Sequence, residues 1–263
     1  MSLFPQLAKL FDEFVSCHNP VSGSVGLSVY DSDIRVMATP YVTIIRNVVA
    51  STQDLAAEEV ANSGGPALVI AHEQTTGRGR SGNVWWQATR GIAASLAFAP
   101  GPVADTFTLG VGLAVRQAIQ EVAAIETDLK WPNDIEFHGG KVGGILVERR
   151  NDLVVAGCGL NLYWSDPPEG ASGLLDVDPG PELGEEISRR WADSVFATRG
   201  AWDRDAYIAA CSTIGQTITW QGGGPGKALT VDDSGGLVVM SDTSPMTLRS
   251  GVVQTVRGVS DDA

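Results

Sequence analysis

Residues 134–160, DIEFHGGKVGGILVERRNDLVVAGCGL, decide the fold. Three strand-like runs, Asp134 to His138, Lys141 to Arg149 and Leu153 to Leu160, are separated by Gly139-Gly140 and Asn151-Asp152. Both pairs suit the backbone of a two-residue hairpin turn, so the three runs are expected to lie antiparallel. Upstream, the β-branched run from Tyr41 to Val49 reads as a strand, and Ser51-Thr52 supplies hydroxyl caps for a helix over Asp54 to Ala61. Further strands are predicted at Ala67 to Ala71, Ile92 to Phe98 and Asp128 to Trp131. A long helix spans Thr106 to Ala124, with Leu109, Leu113 and Ile119 on one side. The fold class is therefore α+β, a mixed and largely antiparallel sheet packed on helices.

Leu183, Ile187, Trp191 and Val195 mark another helix, and Asp205 to Ile214 a shorter one. Past Gly215 the pattern changes to short β runs: Thr217 to Trp220, Ala228 to Val231, Leu237 to Met240, Met246 to Leu248 and Val252 to Val256. They are punctuated by the glycines of Gly222 to Gly226 and by Gly235-Gly236, which predicts a small β-barrel. At the other end, Leu3, Leu7, Leu10, Phe11, Phe14 and Val15 follow helical spacing before a Gly/Ser-rich stretch. The expected organisation is an N-terminal extension over 1–40, a main domain over 41–214 and a C-terminal domain over 215–263.

A net charge of −13 and a pI near 4.5 oppose general affinity for nucleic acid or an anionic membrane, because the summed field repels phosphate. Local basic groups then stand out. Only four of the 18 basic residues are lysines, Lys9, Lys130, Lys141 and Lys227. The first forty residues carry only Lys9 and Arg35 as cations, too few for a DNA-reading winged helix. Cys17, Cys158 and Cys211 are odd in number and widely spaced, which suggests neither a disulfide framework nor a zinc site and fits a reducing cytoplasm. His18, His72 and His138 show no ligand spacing, so no metal ligands from the protein are expected. No secretory signal is read at the N-terminus, and no apolar run is long enough to span a bilayer.

The chemistry concentrates in three blocks. Gln74-Thr-Thr-Gly77-Arg78-Gly79-Arg80-Ser81-Gly82 is a glycine-rich loop carrying two guanidinium groups, a combination suited to binding an anion. Lys130-Trp131-Pro132-Asn133-Asp134 and Lys141 to Glu148 form the second block. Gly157-Cys158-Gly159-Leu160-Asn161 is the third.

In that order, with Ser51-Thr52 upstream, these blocks resemble the biotin protein ligases over residues from about Thr43 to about Tyr163. Departures are Gln53 where the family usually has Asn, Asn83 where a basic residue is frequent, and Gly143 where Ala is common. The resemblance implies ATP-dependent ligation of biotin to a lysine of the biotin carboxyl carrier domain of an acyl-CoA carboxylase, through biotinyl-5′-AMP. ATP and biotin would be substrates, with Mg²⁺ on the departing pyrophosphate. It implies biotin binding by Ser51, Thr52, Gln74, Gly77, Arg78, Arg80, Lys141 and Gly144, and ATP binding by Arg78, Arg80, Trp85, Lys130, Asn133, Lys141 and Asn161. Arg80, Lys141 and Asp134 would be catalytic, and the C-terminal strands would form an SH3-like barrel.

Each residue also has a plainer reading. Ser51-Thr52 cap a helix, Trp85 anchors a core, Asp134 completes a Pro-Asn-Asp turn, and Cys158 is a small buried side chain. Glu148, counted by alternation from Lys141, points to the opposite sheet face and is structural. The loop arginines have no evident carboxylate partner nearby, so the loop is expected to be mobile until ligand arrives. Competing functions are a lipoate or octanoate ligase of the same fold and a non-catalytic biotin sensor or repressor. A second copy of the chain, paired through an exposed sheet edge, is a further candidate partner.

Overall fold

The computed structural model describes residues 40–86, 88–99, 103–241 and 244–256. The predicted N-terminal helix, the reading against a winged helix, Cys17 and His18 lie outside them. Seven strands make the main sheet: β1 (Val42–Val49), β2 (Ala67–Gln74), β3 (Arg90–Phe98), β4 (Asp128–Lys130), β5 (Asp134–Phe137), β6 (Gly140–Arg150) and β7 (Leu153–Tyr163). Their spatial order is β1-β2-β3-β7-β6-β5-β4, with β1 and β2 parallel and every other neighbouring pair antiparallel. The two predicted hairpins are present. The first turn sits one residue earlier than expected, at His138-Gly139, where φ is 50° and 75°. Both central residues of such a turn need positive φ, and His138 tolerates it.

Strand alternation sorts side chains into two layers of unequal depth. Leu68 and Ile70 of β2, Ile92, Leu96 and Phe98 of β3, and Val154, Ala156 and Leu160 of β7 face the main core. That core is covered by α2 (Phe107–Ala123) and α3 (Glu182–Thr198). The opposite face carries a smaller cluster, Val69, Ala97 and Val155 against Ala56 of α1 (Thr52–Ser63). Helix α1 starts earlier than predicted and lacks the expected hydroxyl cap: Ser51 makes no side-chain capping bond. Beyond the end of α1 that face is paved with Ala93, Ser95, Gly144, Gly157 and Gly159, which leave it hollow.

Helix α4 (Arg204–Ala210) is shorter than predicted. Asp203 caps it by accepting from the Ala206 amide at 3.0 Å, and turns take over from Cys211. The remaining strands, β8 (Thr217–Trp220), β9 (Gly223–Val231), β10 (Leu237–Met240), β11 (Pro245–Leu248) and β12 (Val253–Thr255), form a second antiparallel sheet in the order β11-β10-β9-β8-β12. Strand β9 begins inside the glycine run that reads as a turn in the sequence. The sheet is open among the described residues, with β11 and β12 at its edges, so closure into a barrel is not observed. It is tied to the main sheet through Trp131, whose Nε1 donates to the Gly235 carbonyl at 3.0 Å. No described helix is long and apolar enough to cross a membrane.

Candidate active site

The hollow face opens into a cleft of about 470 Å³. Its inner end is uncharged. Thr52 donates its backbone N–H to Gln74 Oε1 at 2.8 Å, its hydroxyl lies 3.1 Å from the same oxygen, and Ser95 Oγ is 2.8 Å from Thr52 Oγ1. Ser51, Thr52 and Ser95 are buried, so the Ser-Thr pair faces the cleft and Thr52 spends its hydroxyl there instead of on the helix terminus.

The outer end is charged. Lys141 Nζ lies 2.6 Å from Asp134 Oδ1, and Lys130 Nζ 3.1 Å from Glu136 Oε1. Arg80 donates to Asn133 Oδ1 at 2.9 Å, while Asn133 Nδ2 donates to the Ile145 carbonyl at 3.0 Å. The Lys130–Asp134 turn thus presents Asn133 and Asp134 inward, and strand β6 brings Lys141 opposite. Within the described residues no group of three His, Cys, Asp or Glu side chains is placed to hold a metal ion.

Trp85 lies between the two ends, half-buried. A Cβ on Gly159 would come within 2.7 Å of its indole, and one on Gly144 within 3.3 Å. These glycines are cross-strand partners on β6 and β7, so together they make a bare patch on which the ring rests. Gly77 faces Trp85 Cβ from the loop, and Asn161 is buried with Nδ2 near the Lys141 carbonyl; neither borders the cleft.

Arg78 corrects one expectation. Its guanidinium donates to both oxygens of Asp54, at 2.8 and 2.7 Å, so the loop does have a carboxylate partner, in the first turn of α1. The hydrogen bond from Arg78, opposed by desolvation and helped by Arg150, draws the Asp54 carboxyl down to about 2. Glu148 corrects another. A register shift between Ile135 and Glu136 places a bulge opposite, between Lys141 and Gly143, and resets the alternation. Glu148 therefore shares the cleft face with Gly144 and Lys141, pairs with Arg150, and lies 4.0 Å from Arg78.

A family model described as the biotin/lipoate A/B protein ligase family matches residues 46–161. The biotin–[acetyl-CoA-carboxylase] ligase of Mycobacterium tuberculosis is 31% identical over 239 residues, covering 80% of this chain and 89% of that protein. This chain is a member of the biotin protein ligase family. The bifunctional ligase/repressor BirA of Bacillus subtilis is 35% identical over 228 residues, 74% of this chain and 68% of its own length. Among solved structures, a biotin protein ligase from Aquifex aeolicus in complex with biotin and ATP superposes with a TM-score of 0.69 at 25% identity, covering 81% of this chain and 99% of that one.

Two of the three departures from the family pattern have local explanations in this ligase. Gln53 reaches across Gly157 to donate to the Leu146 carbonyl at 2.9 Å, a span that a shorter amide would not make. An alanine at Gly143 would put its Cβ 2.7 Å from Leu160 and 2.9 Å from the Gly159 carbonyl. Asn83 closes the loop through its backbone, accepting from Gly79 N–H at 2.7 Å, and nothing in the structure explains its side chain. Sequence reading missed Ser95 and the cleft wall formed by Gln221 and Ser250–Val253. Only Ser95 carried a signal, as a polar residue alternating within an apolar strand.

Proposed function

We propose that this ligase binds biotin's uncharged ring at the Thr52–Gln74–Ser95 end and joins its carboxylate to ATP at the charged end, then passes the acyl group to a lysine of a biotin carboxyl carrier domain. The observation that carries the reading is the division of one cleft into a neutral hydrogen-bonding end and a charged end. In the first step a carboxylate oxygen attacks the α-phosphorus and pyrophosphate leaves. Arg80 and Lys141, flanked by Lys130, offset the charge of two approaching anions and of the phosphorus centre between them. Mg²⁺ would enter with ATP, since the outer-end carboxylates, Asp134 and Glu136, are already paired with Lys141 and Lys130, and a hard cation needs more oxygens than they leave.

In the second step the lysine amine attacks the acyl carbon and AMP leaves, which needs a neutral amine. A lysine ammonium ordinarily titrates at about 10.4, so only about one in 2,500 is neutral near pH 7. When Lys141 turns to the anionic substrate, Asp134 loses its present partner and becomes free to accept the carrier ammonium and its proton. Trp85, on its glycine patch, offers a flat surface for the adenine. The C-terminal strands, read as an SH3-like cap, close one wall.

The test is incubation with biotin, MgATP and a biotin carrier domain, read by mass spectrometry, with lipoate as competitor. A mass gain of one biotinyl group on a single carrier lysine is expected. A gain only with lipoate, or none with either acid, overturns the reading.

A further inference from the structure

The two loop arginines, only two residues apart, have opposite surroundings. A bridge between Arg78 and Val84, the Gly79 N–H to Asn83 carbonyl bond at 2.7 Å and the Trp85 N–H to Gly77 carbonyl bond at 3.0 Å fold residues 77–85 into a closed loop. A 3₁₀ turn over Arg80–Gly82 then redirects the chain, so the two side chains diverge. Among the described residues Arg80 meets a single neutral amide, Asn133. Arg78 meets a bidentate carboxylate, Asp54, which Arg150 Nη2 also engages at 2.8 Å, while Glu148 lies beside both guanidinium groups.

We propose that Asp54, supported by Glu148 and Arg150, is a positioning residue that fixes the Arg78 side of the loop to α1 and β6, so that Arg80 alone moves between Asn133 and the substrate anion. The four side chains hold two positive and two negative charges. Arg78 is therefore neutralised by the protein's own carboxylates at the surface, whereas Arg80 gives up only a charge-to-amide contact when an anion arrives. Asp54 lies in the first turn of α1, close after Ser51 and Thr52, so the same clasp joins the loop to the neutral end of the cleft. The regular β6–β7 register fixes Glu148 on this face, and the bulge in β6 brings Lys141 onto the same face.

This inference rests on the ligase reading, and its test separates the two. Trypsin cutting after Arg78 and Arg80 is timed in the ligand-free protein, and biotinyl-AMP formation is measured across biotin concentrations. Asp54→Asn is expected to speed cutting and to raise the KM for biotin by about fivefold each, the scale of a partly exposed ion pair, with kcat within about twofold of wild type. Asp54→Glu is expected to restore both, and Arg150→Ala to give a smaller change of the same sign. Wild-type cutting in Asp54→Asn overturns the proposal, as does a lowered KM, which would make the carboxylate a restraint. So does failure of Asp54→Glu to rescue. If Asp54→Asn does not fold, Asp54→Glu and Arg150→Ala decide by the same two readouts. A wild-type protein that makes no biotinyl-AMP sinks the ligase reading and leaves the cutting comparison intact.

Discussion

At the inner end of the cleft, Thr52, Gln74 and Ser95 hydrogen-bond one another without formal charge; at the outer end, Arg80, Asp134 and Lys141 carry charge and are held by partners that a substrate can replace. On the proposed reaction, the inner end would select by hydrogen-bond geometry and the outer end would exchange its contacts where charge changes. One half of the site would then govern affinity and the other rate. Substitutions at the two ends should leave different kinetic signatures.

The largest effects belong to the charged end. Lys141→Ala and Arg80→Ala are each expected to slow biotinyl-AMP formation by at least about a hundredfold, because each removes a charge-assisted contact worth roughly 3 kcal/mol in the transition state. Pyrophosphate release reports this step, and near wild-type release from a folded variant would break the division of labour. Next comes Asp134→Asn. Starting from preformed biotinyl-AMP in a single turnover, transfer to carrier lysine is expected to fall by up to about a hundredfold near neutral pH, while adenylate formation survives. Raising the pH should restore part of the loss by supplying neutral amine; equal losses in both half-reactions would place Asp134 with the nucleotide instead. The smallest effect is expected at the neutral end, from Thr52→Val, which deletes the hydroxyl between Gln74 and Ser95 and keeps the shape. It should raise the KM for biotin by about tenfold, the scale of one buried hydrogen bond, with kcat nearly unchanged. A fall in kcat alone would show that the inner end also takes part in the chemistry.

Parts of this arrangement are legible in the sequence because they are local. The hairpins follow from Asn151 and from glycines beside His138. The candidate charged groups follow from Lys130 to Asp134 and from Lys141, where residue type alone declares the chemistry. What escapes depends on contacts distant along the chain. Asp54 lies 24 residues from Arg78, and nothing in either segment announces the pair. The bulge at Lys141 cannot be counted from the β6 sequence, so simple alternation puts Glu148 on the wrong face. Thr52 reads as a cap until Gln74 and Ser95 are seen to compete for its hydroxyl. Gly222 to Gly226 read as a turn, yet β9 starts among them: a Cβ on Gly223 would meet the Trp220 indole at 2.6 Å, so there glycine serves close approach.

The wall contributed by Gln221 and Ser250–Val253 bears on how small such a ligase can be made. The family model ends at residue 161, but α3 still covers the main core beyond it, so the shortest chain to consider ends before β8; it would keep nearly every charged group discussed above while leaving the cleft open on one flank. It would also strip the cover from the Trp131 indole, which is 2% exposed and bonded to the Gly235 carbonyl. A mixed anhydride held in an open trough meets water before it meets an amine, so the truncated protein should squander ATP on hydrolysis. On this reading the loops between the last strands would be a roof against rain, their worth counted in acyl groups kept dry, and a ratio of carrier biotinylated to ATP consumed would measure it.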